Sequence, residues 1–131
     1  MDPPPVYDMR RHGPHQQFPV HNTTNGSTCQ LTDVRGRKVF VGVLTVQLFC
    51  HAATSLKDKR RVLKSLLDRL RDRYNVACAE VDGHDRWQVA TIGIAAVGNS
   101  ATHLRDLLAG VLRFIQSSVD LEVMDHRVEI W

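Results

Sequence analysis

The sequence has no apolar run long enough to cross a membrane, and it contains few cysteines, prolines and aromatic residues. A membrane-spanning helix needs about 18–20 consecutive apolar residues, and none of the 131 residues form such a run. The opening MDPPPVYDMRRHGPHQQ lacks the apolar segment of a secretory signal. Three cysteines in a chain of this length do not make a disulfide framework. We therefore expect a cytoplasmic protein with one small domain and no membrane contact.

The usual signatures of catalysis and cofactor binding are also missing from the sequence. It has no P-loop, no Gly-rich dinucleotide turn, no CxxC pair and no Gly-x-Ser-x-Gly elbow. Asp82, His84 and Asp85 lie close together, but turns favour such residues for local backbone reasons. We therefore predict no catalytic residue, no metal site and no cofactor, and hence a protein that is not an enzyme.

Proline marks the boundary between an N-terminal extension and a folded domain. All five prolines lie in residues 1–37, a segment rich in Asn, Thr, Gln and His that shows no hydrophobic period. Such a segment buries too little apolar surface to offset the entropy of ordering. We predict that residues 1–37 are a disordered extension and that residues 38–131 form the domain.

Hydrophobic periodicity predicts six elements in the domain. Strands are expected at residues 38–50, 76–81, 86–97 and 119–131, the last with a bulge near Met124. Helices are expected at residues 56–73 and 101–117, with Ser55 and Ser100 as N-caps. The order β-α-β-β-α-β predicts a ferredoxin-like α+β fold, with a four-stranded antiparallel sheet and both helices on one face.

One face of this sheet has no helix to cover it, yet its residues are rather apolar. The residues expected there are Val41, Val43, Trp87, Val89 and Thr91. An uncovered apolar face is typical of a partner surface, so these residues form a candidate interface and we expect a homodimer. Coverage by the extension or a loop, or plain exposure of single valines, remains an alternative.

Positive charge is concentrated in the first helix. Residues 55–73 carry eight basic and three acidic side chains, whereas residues 74–131 carry four basic and eight acidic ones. Cations near a helix N-terminus are mildly unfavourable, so their accumulation indicates an anionic partner. The candidate phosphate contacts are Ser55, Lys57, Lys59, Arg60, Arg61, Lys64 and Arg71. A solvated face with local ion pairs, such as Lys64–Asp68 and Asp68–Arg71, is the alternative.

A different way of binding RNA is not favoured by the strand sequences. The run from Val39 to Leu44 resembles the first-strand motif of RNA-recognition-motif domains, which stack bases on sheet aromatics. The third strand, however, reads TIGIAAV and lacks the aromatic motif of that family. The predicted register also turns Phe40 towards the core, so we do not expect bases to stack on the sheet.

Several stretches of the domain resemble the bacterial YlxP-like family, a domain of unknown function. They are Val41-Gly42-Val43-Leu44 in the first strand, SLKDKRRVLKS from Ser55 in the helix, and Trp87-Gln88 after the hairpin. The resemblance covers residues 39–131 and implies a ferredoxin-like fold with no established activity. The family's gene neighbourhood, beside translation initiation factor two and ribosome-binding factor A, implies a role in translation or ribosome maturation. Family members usually begin near Val39. Residues 1–38 are therefore either a real extension or the result of a start codon assigned upstream of the one that the cell uses.

These observations support three hypotheses of different kinds. The first is a non-enzymatic accessory protein that binds RNA or a ribosomal subunit through the basic helix. The second is a protein-interaction or homodimerisation module that uses the open sheet face. The third is a sensor of a small anionic ligand at the start of the first helix.

Overall fold

The computed structural model describes residues 30–131, which fold into four strands and two helices. In chain order the elements are β1 (Phe40–Cys50), α1 (Leu56–Arg73), β2 (Ala77–Asp82), β3 (Val89–Gly98), α2 (Ala101–Gln116) and β4 (Leu121–Ile130). The strands form one antiparallel sheet in the order β2-β3-β1-β4. The predicted ferredoxin-like α+β architecture is therefore confirmed.

The hydrophobic core lies between the sheet and the two helices. Alternate residues of the central strands, among them Leu44 and Val46 in β1 and Ile92 in β3, are completely buried. They pack with leucines of both helices, because the helical spacing of those leucines places them on one face. The larger aliphatic residues of the strands thus face the helices.

A glycine in β1 lets α2 lie close to the sheet. A Cβ atom at Gly42 would lie 2.9 Å from Cδ1 of Leu108 and 3.2 Å from Cδ1 of Ile130. Carbon atoms cannot approach so closely without displacement of their neighbours. The absence of a side chain at this position therefore determines how deeply the helix packs.

The predicted bulge in the last strand is present at Met124. Gln47 of β1 is opposite Asp125, but the next residue, Leu48, is opposite Val123, so Met124 has no partner in the ladder. Because of this extra residue, the apolar side chains of β4 on the N-terminal side of Met124 face the core again. Leu121 is buried as a result.

The connection between β2 and β3 is a longer loop than the sequence predicts. Strand β3 begins at Val89 rather than at residue 86, and Gly83 adopts a φ of +83° at the start of the loop. The amide of Arg86 donates to the carbonyl oxygen of Gly83. Trp87 therefore lies in this loop and not in the strand where we expected it.

The described chain continues for a few residues N-terminal to β1. Thr32 and Lys38 form an isolated antiparallel bridge, and the carboxylate of Asp33 accepts hydrogen bonds from the amides of Arg35 and Arg37. The pKa of Asp33 is lowered chiefly by the bond from Arg37. Residues 30–37, which we assigned to the extension, thus contain a turn. The prediction for residues 1–29 lies outside the described residues.

Candidate functional site

The first turn of α1 is closed by its own polar side chains. Ser55 is the N-cap, and its Oγ accepts a hydrogen bond from the amide of Asp58 at 3.1 Å. The carboxylate of Asp58 in turn accepts from the hydroxyl of Thr54 at 2.6 Å and from its amide. These bonds lower the pKa of Asp58, with a smaller contribution from the charge of Arg61. The Ser55 oxygen is thus occupied by the helix, and only its hydroxyl proton remains for an anion.

Three cations follow this cap on the exposed surface of α1. Lys57, Arg60 and Arg61 are all exposed. None of them forms an ion pair or a side-chain hydrogen bond with another residue between 30 and 131. We call these three residues the basic triplet. Its charges are available to an anionic partner and lie at the end of the helix where the backbone dipole is itself positive.

Two further candidates, Lys64 and Arg71, are exposed but have partners. Nζ of Lys64 lies 2.8 Å from Asp68, and Nη1 of Arg71 lies 3.4 Å from the same carboxylate. The hydrogen bond from Lys64 is the main cause of the lowered pKa of Asp68. Arg71 also donates through Nη2 to the carbonyl oxygen of Cys78 in β2, at 2.8 Å. The ion pairs that we considered as the alternative to an RNA contact are therefore present at this end of the helix.

Lys59 must be removed from the candidate phosphate contacts. Its side chain is 0 % exposed, and Nζ donates to the carbonyl oxygens of Gly83 at 2.6 Å and Val89 at 3.3 Å. Nζ also lies 3.0 Å from Oε2 of Glu80 in β2. A buried ammonium with these contacts cannot reach a phosphate outside the domain, so the prediction for Lys59 was wrong.

The sequence contained a signal for this burial. Lys59 precedes the buried Leu63, Leu66 and Leu70 by 4, 7 and 11 residues, the spacing of one helix face. Glu80, the one charge within an otherwise apolar strand segment, indicated where a partner for a lysine would lie. Taken together, the two departures from the hydrophobic pattern predict a buried ion pair.

Two other arginines of α1 are used within the fold. The guanidinium groups of Arg69 and Arg73 lie 5.8 Å and 5.2 Å from the centre of the Phe114 ring in α2. Such contacts are favourable cation–π interactions. They also show that this side of α1 faces α2. Because Arg71 contacts β2 instead, the opposite side of α1 runs along the outer edge of the sheet.

The open face of the sheet is divided into an apolar and a charged half. Of the predicted interface residues, Val41, Val43, Val89 and Thr91 lie on this face and are half-buried. Around Val43 is an open depression of about 300 Å³ lined by small and branched residues of β2 and β3. The β4 side is charged, with Arg127 and Glu129 3.1 Å apart.

A second cavity of about 330 Å³ lies on the same face near the β2–β3 loop. Its polar lining comes from Gln47, Asp82, Arg86 and Thr91, with Met124 on one side. The Oδ1 atom of Asp82 accepts a hydrogen bond from the amide of Gly83. The cavity is therefore mixed in character, and its shape is determined by the loop.

Among residues 30–131 the remaining reactive side chains meet in pairs at most, as Nε2 of His51 does with Oε2 of Glu122 at 2.7 Å. Within residues 30–131 no three His, Cys, Asp or Glu side chains are grouped as metal ligands would be. Burial raises the pKa of the thiols of Cys50 and Cys78, so both are weak nucleophiles; Cys29 lies outside the described residues. His84 is 3.8 Å from Glu80. Among the described helices, none is long and apolar enough to span a bilayer.

Comparison with known proteins agrees with the resemblance seen in the sequence. Residues 41–128 match the model of a family described as "Protein of unknown function (DUF503)". The chain is also 37 % identical over 89 residues to a Bacillus subtilis (strain 168) protein named "Uncharacterized protein YlxP". That alignment covers 68 % of this chain and 97 % of the relative. The protein therefore belongs to the DUF503 family.

Proposed function

We propose that this protein is a non-enzymatic cytoplasmic accessory factor that binds RNA, or a ribosomal subunit, through phosphate contacts of α1. The observation that carries the proposal is the basic triplet of Lys57, Arg60 and Arg61. These side chains are exposed and have no counter-ion within residues 30–131. They also occupy the end of the helix that disfavours cations. An RNA phosphate would remove this unfavourable accumulation of charge.

Lys64 and Arg71 extend the proposed surface along the same side of α1. Both remain exposed while they share Asp68, so a phosphate would compete with that carboxylate for their charge. We therefore expect their contribution to be smaller than that of the triplet. Phosphate contacts of this kind carry little base specificity.

Binding of a labelled RNA, measured by fluorescence anisotropy over a range of salt concentrations, tests the proposal. Each phosphate contact contributes about −0.7 to the slope of log K against log salt for a single strand. Arg60→Glu should weaken binding and, by removing one contact, reduce the magnitude of this slope by about 0.7. Arg105→Glu makes the same charge change on an exposed position of α2 and should have a smaller effect. Equal effects of the two variants would refute a specific role of α1.

Sedimentation of a native lysate at low and high salt tests the same proposal in the cell. Co-migration with the small ribosomal subunit that is lost at high salt, and lost with Arg60→Glu, is the expected result. If the protein stays at the top of the gradient under both conditions, the ribosomal part of the proposal is wrong.

A homodimerisation module is the second candidate function, and the apolar half of the open sheet face favours it. Val43 and its neighbours in β2 and β3 line an apolar depression that neither helix covers. A charge there would be buried on association, so Val43→Glu should produce a monomer. Val119→Glu adds the same charge at an exposed position between α2 and β4, away from the sheet, and is the control. Sedimentation equilibrium at micromolar concentration measures the oligomeric state of the wild type and both variants. A monomeric wild-type protein excludes this function.

A further inference from the structure

The loop between β2 and β3 is attached to the start of α1 by a buried lysine. Nζ of Lys59 donates to the carbonyl oxygen of Gly83, where the loop begins, and to that of Val89, where β3 begins. Both ends of the loop are therefore bound to one side chain of α1. The loop consequently lies beside the first two turns of the helix, where the basic triplet is found.

This loop presents an exposed indole on a backbone that is held in place. Trp87 is 43 % exposed and lies within the loop. The next residue, Gln88, accepts a hydrogen bond from the amide of Cys50 at 2.7 Å, and Arg86 on the other side donates to Gly83. At this exposure the ring leaves a large apolar area in contact with water. An exposed ring on an anchored backbone is suited to stacking against another flat group.

One immediate neighbour of Trp87, Arg86, adds a positive charge, and the residue before it, Asp85, is acidic. Arg86 is exposed, and it forms no ion pair with any residue between 30 and 131. His84, in the same loop, is exposed as well. Through Lys59, the loop that carries Arg86 and Trp87 is attached to the same turns of α1 that carry Lys57 and Arg60. Grooves that bind single-stranded nucleic acids combine positive charge with aromatic rings.

From this juxtaposition we infer that Trp87 stacks on an unpaired base, and that the RNA class recognised by the α1 surface is single-stranded. The inference rests on the proposed function and specifies it further. In a duplex the bases are stacked on each other and cannot reach the ring. The centre of the sheet's open face, formed by Val43, Thr45, Gly93 and Ala95, has no aromatic side chain. Phe49, at the end of β1, already packs edge-on against His51.

Binding of three RNA ligands to three variants tests the inference. The ligands are a single-stranded oligouridine of about ten nucleotides, an abasic strand of the same length and a blunt duplex. Trp87→Ala should weaken binding of oligouridine by about 5- to 150-fold, the range expected for one stacked base. Its affinity for the abasic strand and the duplex should stay unchanged. Trp131→Ala, which removes the other exposed tryptophan, should leave all three affinities unchanged, and Trp87→Phe should retain part of the effect.

Fluorescence gives an independent readout in a Trp131→Phe background, where Trp87 is the only tryptophan. Oligouridine should quench its emission, and the abasic strand should not. Equal affinity of Trp87→Ala and wild type for oligouridine overturns the inference, as does equal quenching by the abasic strand. If Arg60→Glu still weakens binding in that case, the proposed function stands without the stacking. If the wild type binds none of the three ligands at low salt, the inference and the proposed function are both wrong.

Discussion

Nζ of Lys59 in α1 lies 3.0 Å from Oε2 of Glu80 in β2, in the interior of the domain. The approach is a contact of opposite charges rather than a hydrogen bond, because Oε2 has no hydrogen-bond partner among the described residues. The hydrogen bonds of Nζ go to Gly83 and Val89 instead. One side chain thus neutralises a buried carboxylate and holds the loop that carries Trp87.

Removal of this lysine should destabilise the protein strongly. Lys59→Met leaves the carboxylate of Glu80 without its counter-charge, and breaking a buried pair in this way costs about 3–5 kcal/mol. Urea denaturation followed by circular dichroism measures the loss. Arg60→Met, at the neighbouring exposed position, should change the free energy of unfolding by less than about 0.5 kcal/mol.

Replacement of both partners separates charge from packing. Lys59→Met combined with Glu80→Met leaves no unpaired charge and should recover most of the stability lost in the single variant. A double variant as unstable as Lys59→Met alone would show that the hydrogen bonds to Gly83 and Val89 matter more than the ion pair.

Substitution at Gly42 should test the close packing of α2 on β1. A Cβ at this position would meet Leu108 at 2.9 Å, so Gly42→Ala should destabilise the protein by about 1–3 kcal/mol. Gly110→Ala is the matched control within α2, where the nearest atoms would lie 3.8–3.9 Å away. That change should stabilise the protein by roughly 0.4–1 kcal/mol, because alanine favours the helix. Thermal unfolding of both variants shows whether each substitution lowers or raises the stability of the protein.

The cap of α1 should make stability sensitive to acid. The pKa of Asp58 is lowered from 3.8 by its hydrogen bonds to Thr54. A group whose pKa is lower in the folded state stabilises the fold above the unfolded-state value. That stabilisation is lost as the pH falls through the folded-state value. Asp58→Asn removes this contribution, so its free energy of unfolding should fall less steeply than that of the wild type below about pH 5.

An exposed acidic residue without such bonds provides the control for this pH effect. Asp106 of α2 is exposed and accepts no side-chain hydrogen bond from any residue between 30 and 131. Asp106→Asn removes an exposed carboxylate that lacks these bonds, and its stability is compared with that of Asp58→Asn over the same pH range. If the free energy of unfolding of Asp58→Asn and that of the wild type fall in parallel with pH, Asp58 is not the source of the acid sensitivity.

Both described cysteines should resist thiol reagents in the folded protein. Burial raises the pKa of Cys50 and Cys78, which lowers the thiolate fraction as well as access. In a Cys29→Ser background, which leaves only these two thiols, reaction with a chromogenic disulfide should be slow in buffer and fast in denaturant. Rapid reaction of one thiol in buffer would show that its surroundings open readily.

Most of the fold could be predicted because its elements follow simple periods. The bounds of α1 and the bulge at Met124 follow from where apolar residues continue or break their spacing. The start of β3 could not be placed, since Arg86, Trp87 and Gln88 fit a strand in isolation. Tertiary contacts of Lys59 and Cys50 keep them in a loop. The candidate site was harder to predict from the sequence. The number of basic residues on α1 does not show which of them are exposed and which are buried or paired.

The hydrogen bond from Arg71 to the carbonyl oxygen of Cys78 has a consequence for self-assembly by strand addition. Strand β2 is at the border of the sheet, and an unpaired border strand is a template on which another chain can add and begin to aggregate. The guanidinium group occupies an acceptor that an incoming strand would need. It also places a positive charge, which such a strand would have to desolvate, beside that border. The same helix that carries the basic triplet in its first turns thus places, at its last turn, a charged obstacle to strand addition beside β2.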